Sequence, residues 1–238
     1  MTDRTLAVVS AGLTQPSSTR LLADRLAAAT RTELSRLDIR AKPDIIEVRH
    51  HAHDVTNHLL SGFPSARLRE VIDTITGADG LIAVTPIFNA SYSGLFKSFL
   101  DVLEETALVD KPVLIAATGG TARHSLALEH AVRPLFVYLR AVVVPTSVYA
   151  SSEDWAGPRA GDQAAGVVPA GHATTEDVPG SDGGSMPADA GPLHARIHRA
   201  ARELAVQVSL RPPTAVVDPF ALTTSFEELA AGGADVSA

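Results

Sequence analysis

Short apolar runs alternate with longer stretches of helical periodicity along most of the chain. The apolar runs lie at 6–9, 45–46 with Val48, 81–84, 113–117 and 142–144, and the last resumes at Val148. The run at 81–84 contains no polar residue, which is typical of a strand buried on both faces of a parallel sheet. Between the runs, apolar residues recur at helical spacing, as at Leu22 and Leu26. The pattern predicts an α/β fold with a doubly wound five-stranded parallel sheet, order 2-1-3-4-5, and helices on both faces.

The composition changes after Trp155. Residues 157–191 contain eight of the 17 glycines and four of the 15 prolines, with almost no large apolar side chain, so we expect a disordered insert. Such a segment is either a linker or a flexible flap. The domain boundaries that we predict are a sheet domain at 1–156, the insert at 157–191, a C-terminal helix at 192–210 that packs on the same domain, and a tail at 211–238.

The overall composition excludes several classes of function. The chain has 45% hydrophobic and 20% charged residues, and its net charge of −7 provides no basic surface for a nucleic acid. Cysteine is absent, which excludes disulfides, thiolate metal sites and a cysteine nucleophile. No apolar stretch is long enough for a membrane span or a signal-peptide core. We therefore expect a cytoplasmic protein that contacts neither nucleic acid nor membrane.

A loop rich in small polar residues follows the first strand and leads into a helix. Ser17, Ser18 and Thr19 place hydroxyl groups at the positive end of that helix, where backbone amides are free to bind an anion. The loop has neither the dinucleotide glycine pattern nor a Walker lysine, which favours a single phosphate group. Ordinary N-capping by Ser17 or Ser18, without a ligand, is the alternative.

A second loop follows the third strand. Pro86 cannot donate to a sheet ladder, so we expect the strand to end at Thr85-Pro86 and the next helix to begin with Ser91 as its cap. The loop displays Pro86, Ile87, Phe88, Asn89 and Ala90. Apolar side chains and free backbone amides together suit a planar ligand such as an isoalloxazine ring. A strand-to-helix turn that binds nothing is the alternative.

A third loop, with a pair of glycines, follows the fourth strand. Gly119 and Gly120 allow a ligand to approach the backbone closely, or they form a tight turn. His124 follows, either as a ligand contact or as a cap. We expect a helix from about 122 to 139 that buries Leu126 among other residues and is kinked near His130, because Pro134 removes the hydrogen bond to that carbonyl. The kinked region either shapes a subunit interface or belongs to an ordinary helix of the core.

Four histidines lie between the second strand and the next helix. His50, His51, His53 and His58 stand near Asp54, a residue set that can ligate zinc. Their irregular spacing favours a solvated crossover instead, and we predict no metal site.

The assumed strand order makes strands 1, 3 and 4 neighbours. The three loops then meet at the carboxyl edge of the sheet, where open α/β folds bind ligands. Each loop suits one part of flavin mononucleotide: the phosphate at 17–19, the ring edge at 86–90, and the ring face and pyrimidine at 119–121. Their convergence predicts an FMN site.

Three segments of the chain also resemble a known family. SSTRLLADRL, TPIFNASYSGLFKSFLD and ATGGTARHSLALEHAVRPLFVYLRA are similar to the NAD(P)H-dependent FMN reductases of the flavodoxin-like fold, most closely those partnered with luciferase-like monooxygenases. The resemblance covers about 4–155 and, less sharply, the helix from 192 and the PFALTTSFEELAAG tail. Ala11 is a departure, because related reductases often have serine or threonine there.

The resemblance implies an NAD(P)H:FMN oxidoreductase in which hydride passes from NADPH or NADH to FMN. The cofactors supply that chemistry, so no catalytic side chain is expected. Implied partners are a luciferase-like monooxygenase that receives reduced FMN, and further copies of the chain in a homodimer or homotetramer. The cofactor-binding residues that we predict are Ser10, Ser17, Ser18, Thr19, Pro86, Ile87, Phe88, Asn89, Ala90, Thr118, Gly119, Gly120 and Thr121.

A nicotinamide-nucleotide phosphate is a further expected ligand of Arg20, Arg123 and His124, with solvation as the alternative for both arginines. Two other functions are compatible with these residues. One is a quinone or azo reductase that retains its FMN, and the other is a flavin-binding electron carrier or regulatory module without turnover.

Overall fold

The elements alternate between strand and helix in the order predicted for the first half of the chain. The computed structural model describes residues 2–155 and 192–214, so the predicted insert at 157–191 and most of the tail at 211–238 lie outside the described residues. The strands are β1 Thr2–Ser10, β2 Ile39–Glu47, β3 Gly80–Phe88, β4 Ser91–Tyr92, β5 Pro112–Gly119, β6 Val142–Val143 and β7 Val148–Ser151. The α-helices are α1 Ser18–Ser35, α2 Ala52–Ser61, α3 Ala66–Gly77, α4 Gly94–Leu100, α5 Arg133–Tyr138 and α6 Pro192–Ser209. Short 3₁₀ turns lie at Val48–His51, Ala122–His124 and Ser152–Trp155, and a π-helical turn lies at Leu128–Val132.

The parallel sheet has five positions, in the order β2-β1-β3-β5 followed by β6 and β7. Both β6 and β7 pair with β5, β6 at its beginning and β7 at its end, so they share the fifth position. This confirms the predicted doubly wound, flavodoxin-like order 2-1-3-4-5. The differences are the break in the fifth strand and the short β4, which pairs with β3 in an antiparallel ribbon.

Alternate residues of the central strands point into two separate cores. Ala7 and Val9 of β1 face the core that contains Phe96, Phe99 and Phe136, on the side of helices α2 to α5. Leu6 and Val8 face the other core, which α1 and α6 cover. The strands therefore need apolar residues at consecutive positions, which explains the unbroken apolar runs in the sequence. Among the helices of the described residues, none has the length and hydropathy that a membrane crossing requires.

The third strand does not end at Thr85-Pro86, as we had expected, but continues to Phe88. Pro86 pairs in register with Thr118 of β5. Every second residue of a strand directs its backbone groups to the same neighbouring strand. The Val84 carbonyl accepts from the amide of Ala11, so Val84 is directed to the β1 side. Pro86, two residues later, is also directed to that side, but β1 has ended there, so its missing amide costs no ladder hydrogen bond.

The expected helix from 122 to 139 is also interrupted. The 3₁₀ turn at Ala122–His124 and an irregular stretch precede the π-helical turn, and regular α-helix begins only at Arg133. The π-helical turn contains His130, four residues before Pro134, so a distortion occurs where the missing proline amide predicts it. Leu126, predicted to be buried, is 63% exposed because it lies in the irregular stretch.

Helix α6 packs beside α1 on the sheet. Its residues Leu193, Ile197, Ala200, Ala201, Leu204 and Val208 are buried in the same core as Leu22 and Leu26 of α1. Arg196 also forms an ion pair with Asp154, with its Nη2 atom 3.0 Å from Oδ1. The two chain ends that flank 156–191 therefore lie close together.

Candidate functional site

Three loops meet at the carboxyl edge of the sheet. Ser10, the last residue of β1, is in register with Val84 of β3, and Pro86 is in register with Thr118 of β5. The hydroxyl groups of Thr19 and Thr118 are 2.8 Å apart and both are buried. This contact joins the start of α1 to the end of β5 across β3. We call residues 10–19, 86–90 and 118–121 the three-loop site.

The first loop curls back on the start of α1. A Cβ atom at Gly12 would lie 2.1 Å from Ser17 Oγ and 3.2 Å from Thr19 Cβ, so a side chain here would displace the Ser17 hydroxyl from its capping position. Ser17 is the N-cap of α1, and its Oγ accepts from the amide of Arg20 at 3.2 Å. The amides of Ser18 and Thr19 donate to no acceptor within residues 2–155 and 192–214. The capping interpretation of Ser17 is thus correct, and two amides still remain for an anion.

A buried hydroxyl group without a partner lies at the base of this loop. Ser10 is 1% exposed, and its Oγ forms no hydrogen bond within the described part of the chain. Such a group costs about 1–3 kcal/mol unless a partner binds it. The neighbouring Ala11 is fully buried in the core, and its amide donates to the Val84 carbonyl at 2.9 Å. An apolar side chain at position 11 therefore serves packing.

The second loop is the tip of a β-hairpin. Asn89 and Ala90 connect β3 to β4, and both have positive φ, 49° and 66°. Two positive φ values are the mark of a type I′ turn, which ordinarily favours asparagine and glycine. Ile87 points inward and is 8% exposed, whereas Phe88 is 47% exposed at the rim. The tip thus exposes its backbone and the aromatic ring of Phe88 to solvent.

The cap of the following helix is Ser93 and not Ser91. Ser91 belongs to β4, while Ser93 Oγ accepts from the amide of Phe96 at 3.1 Å. The buried Thr85 explains the shift, because its Oγ1 accepts from the Ser93 amide at 3.2 Å. This bond ties the start of α4 to β3 and fixes the hairpin between them.

The third loop is held by a tyrosine that lies 28 residues further along the chain. The Tyr149 hydroxyl donates to the Thr121 carbonyl at 2.8 Å. A Cβ atom at Gly119 would lie 2.1 Å from this hydroxyl, whereas a Cβ atom at Gly120 would have no atom within 4 Å. Gly119 makes room for Tyr149, and Gly120 borders open space. Burial and the nearby Asp154 carboxylate raise the pKa of Tyr149, so its hydroxyl remains a donor at neutral pH.

The predicted cationic residues have different surroundings. Arg20 is part-buried and forms ion pairs with Asp24 at 2.9 Å and Glu47 at 2.6 Å. The hydrogen bond to Asp24 and the charges of both carboxylates raise the pKa of Arg20. Arg123 and His124 are exposed on the 3₁₀ turn after Thr121. The structure thus places Arg20 in a network that anchors α1 to β2, and leaves the other two side chains free to meet a ligand.

The four histidines at 50–58 are not gathered around a common point. His50 and His51 lie in the 3₁₀ turn, and His53 and His58 lie on α2. Within residues 2–155 and 192–214, no three histidine, aspartate or glutamate side chains are arranged to hold a metal ion. His51 is buried, and this burial is the main cause of its lowered pKa.

Sequence comparison identifies the family. A family model described as NADPH-dependent FMN reductase matches residues 4–156, well over half of the chain. The chain belongs to this family. It is similar to the FMN reductase (NADPH) of Pseudomonas aeruginosa, with 40% identity over 62% of this chain and 76% of that protein. It is also similar to the NADH-dependent FMN reductase SfnE of Pseudomonas putida, with 35% identity over 66% of this chain and 82% of that protein.

A solved structure agrees with this assignment. An oxidoreductase from Corynebacterium diphtheriae superimposes with a TM-score of 0.74 and 37% identity, over 89% of this chain and all of that one. The chain is therefore an NAD(P)H:FMN oxidoreductase, and its cofactors are FMN and NAD(P)H. The relatives are named for different nicotinamides, so the family does not fix which one this chain prefers.

The three-loop site has the chemistry that FMN requires. The unpartnered Ser10 hydroxyl and the free amides at the start of α1 are donors for a phosphate. The hairpin tip and the open side of Gly120 provide an apolar edge and a surface without side chains for a planar ring. The positioning residues Gly12, Thr85 and Tyr149 were missed by sequence reasoning, because their partners are distant in sequence or depend on the detailed loop path.

Proposed function

We propose that this reductase binds FMN at the three-loop site and releases reduced FMN to a luciferase-like monooxygenase. The proposed location of FMN rests on the contact between Thr19 and Thr118, which holds the first and third loops together at one edge of the sheet. The resemblance of the three long segments to oxygenase-partnered reductases supports the release of the product. Reduced flavin reacts with oxygen, so a protein acceptor is needed for productive use.

The residues of the chain bind and orient in this proposal. Ser17, Ser18 and Thr19 hold the phosphate at the positive end of α1, together with Ser10. Phe88 and the backbone of Ile87 contact the ring edge, and the backbone of Gly119 and Gly120 lies against the ring and its pyrimidine. When bound, FMN accepts hydride at N5 from the nicotinamide, so the protein needs alignment and not a general acid. Arg123 and His124 are the exposed groups that we assign to the nicotinamide nucleotide.

The exposed rim of the site supports FMN as an exchanging substrate. Leu13 of the first loop and Phe88 of the second loop are each about half exposed. A ring that rests against exposed side chains can dissociate without a change in the fold. We expect FMN to dissociate between turnovers and not to remain as a prosthetic group.

The test uses tag-free protein freed of flavin and a bacterial luciferase as acceptor. Oxidation of NADH and of NADPH is followed against FMN concentration, and light emission reports reduced FMN that reaches the luciferase. We expect saturable dependence on FMN, and light when the two proteins are separated by a membrane that only flavin crosses. Stoichiometric FMN that does not exchange with an added flavin analogue would instead indicate a flavin-retaining reductase. FMN binding without nicotinamide oxidation would indicate an electron carrier.

We also propose a homodimer or homotetramer that uses the region around the π-helical turn. Val137 and Tyr138 of α5 are 59% and 71% exposed, and the exposed Leu126 precedes the turn. Apolar side chains grouped in this way favour an interface. Light scattering on a size-exclusion column should give two or four chains for the wild type and a smaller assembly for Tyr138→Lys. A monomeric wild type would contradict the proposal.

A further inference from the structure

Two histidines of α6 converge outside the three-loop site. His194 and His198 are four residues apart and therefore share one face of the helix. A hydrogen bond joins their Nε2 atoms, which are 3.0 Å apart, and their ring centroids are 4.2 Å apart. The pair faces outward near the first turn of α6, while Leu193 and Ile197 face the core.

A buried carboxylate lies behind His198. The Glu33 side chain of α1 is 5% exposed, and its Oε1 atom is 3.6 Å from His198 Nδ1. Arg36 donates to the same oxygen at 2.7 Å and holds it in place. The negative charge favours the tautomer of His198 with its proton on Nδ1, which leaves a lone pair on Nε2. A carboxylate behind a metal-bound histidine is the usual arrangement in metal sites.

The separation of the two nitrogens fits chelation of one ion. The 3.0 Å hydrogen bond shows that the two Nε2 atoms already point towards each other, and a bound ion would take the place of the shared proton. Metal to nitrogen bonds of about 2.0–2.1 Å can be reached from both rings by small rotations of exposed side chains. Imidazole nitrogen binds Cu²⁺ more tightly than Ni²⁺ or Zn²⁺, so Cu²⁺ is expected to bind most tightly.

We propose that His194 and His198 bind one divalent transition-metal ion, Cu²⁺ most tightly, with Glu33 as the positioning residue behind His198. Two side chains provide two ligands, and water completes the coordination shell. A metal bridge across one helical turn fixes the first turn of α6. That turn directly follows residue 191 in the sequence, so the ion stabilises α6 at its N-terminal end.

Positive charge near the pair limits the affinity. Burial, the neighbouring His198 and the Arg25 charge lower the pKa of His194, and Arg25 also repels a bound cation. Arg25 is held over the Trp155 ring, 4.9 Å from its centroid. The variant Arg25→Gln removes this repulsion, so it should bind the ion more tightly than the wild type.

The test is titration of tag-free, chelator-treated protein with NiCl₂ and with CuSO₄, followed by calorimetry and native mass spectrometry. We expect one bound ion per chain in the wild type and a raised unfolding temperature with the ion present. His194→Gln and His198→Gln should lose the saturable binding. Glu33→Gln should weaken it by about tenfold. His53→Gln, which removes an exposed histidine from α2, is the matched control and should bind as the wild type does.

Two results would overturn the site. One is the absence of saturable uptake by the wild type. The other is uptake that persists unchanged in both His194→Gln and His198→Gln, which would place the ion elsewhere. Circular dichroism of each variant confirms that α6 is intact, and because both histidines face outward, either variant alone provides the test.

Discussion

Single residues at the three-loop site act mainly by shaping backbone. Gly12 is needed because a Cβ atom would lie 2.1 Å from the capping oxygen of Ser17. Gly119 is needed because Tyr149 occupies the place of its side chain. The sequence revealed the glycine pair and the serine cap, since both are local patterns. It could not reveal Tyr149, whose contact with Thr121 spans 28 residues and depends on how β7 pairs with β5.

The hydroxyl group of Tyr149 should increase the affinity for FMN without taking part in hydride transfer. Tyr149→Phe removes the hydrogen bond to the Thr121 carbonyl, which is worth about 1 kcal/mol and corresponds to about fivefold in affinity. We expect the KM for FMN to rise by about fivefold while kcat changes little. Steady-state nicotinamide oxidation measures both. Tyr138→Phe, at an exposed tyrosine of α5, is the control, and an equal effect there would show that Tyr149 has no special role.

At the scale of elements, the sequence predicted the order of strands better than their ends. The apolar runs correctly indicated five sheet positions, because burial on both faces leaves a strong pattern. Pro86 misled the prediction for β3, since a proline is tolerated where the adjacent strand has ended. The fifth strand is broken at 144–147, and contacts from two distant elements hold the break. Arg133 donates to the Val144 carbonyl at 3.1 Å, and Glu203 accepts from the Thr146 amide at 2.7 Å.

The π-helical turn is connected to this break through Glu129. Its carboxylate accepts from Arg133 Nη2 at 3.0 Å and from the Ser147 hydroxyl at 2.6 Å. The hydrogen bond from Arg133, together with that from Ser147, lowers the pKa of Glu129 below its usual value of 4.5. A carboxylate whose pKa is lower in the folded state stabilises the protein above the unfolded pKa. That contribution is lost as the pH falls through the folded pKa.

Glu129→Gln should therefore lower the unfolding temperature at neutral pH, and the difference from the wild type should shrink below pH 4.5. The side chain is 42% exposed, so solvent screening limits the effect to less than about 1 kcal/mol. Thermal unfolding of both proteins across this pH range measures the difference. A constant difference at all pH values would show that shape, and not charge, is responsible. Glu105→Gln, at an exposed glutamate, is the control.

At the scale of the whole molecule, the sheet within residues 2–155 positions the three loops, and α6 completes one of the two cores that cover it. The family resemblance and the sheet topology followed from sequence because the site loops are continuous segments. The position of α6 beside α1 could not be predicted from the sequence, because an amphipathic pattern shows that a helix packs on a core but not which helix lies next to it. The domain boundaries at 156–157 and 191–192 remain predictions.

Replacing 158–190 with a short glycine and serine linker should leave FMN reduction intact if the insert is a linker. The ion pair of Asp154 with Arg196 keeps the two flanking ends close, so a short connection can span them. We expect unchanged kcat and KM for FMN and an unchanged unfolding temperature. Loss of activity with an intact fold would show that the segment acts as a flap over the site. Loss of the fold would show that it is structural.

The central claim is that FMN binds and is reduced at the three-loop site, and Gly120 provides its most direct test. A Cβ atom at Gly120 meets no atom of the described residues within 4 Å, so we expect Gly120→Leu to leave the fold stable while its side chain occupies the space assigned to the ring. Gly77→Leu, at another open glycine at the end of α3, is the matched control. The measurement is nicotinamide oxidation against FMN concentration for flavin-free wild type and both variants. We predict a large rise in the KM for FMN for Gly120→Leu alone, with unchanged unfolding temperatures. An unchanged KM for FMN in a folded Gly120→Leu protein would place the flavin elsewhere and contradict the account.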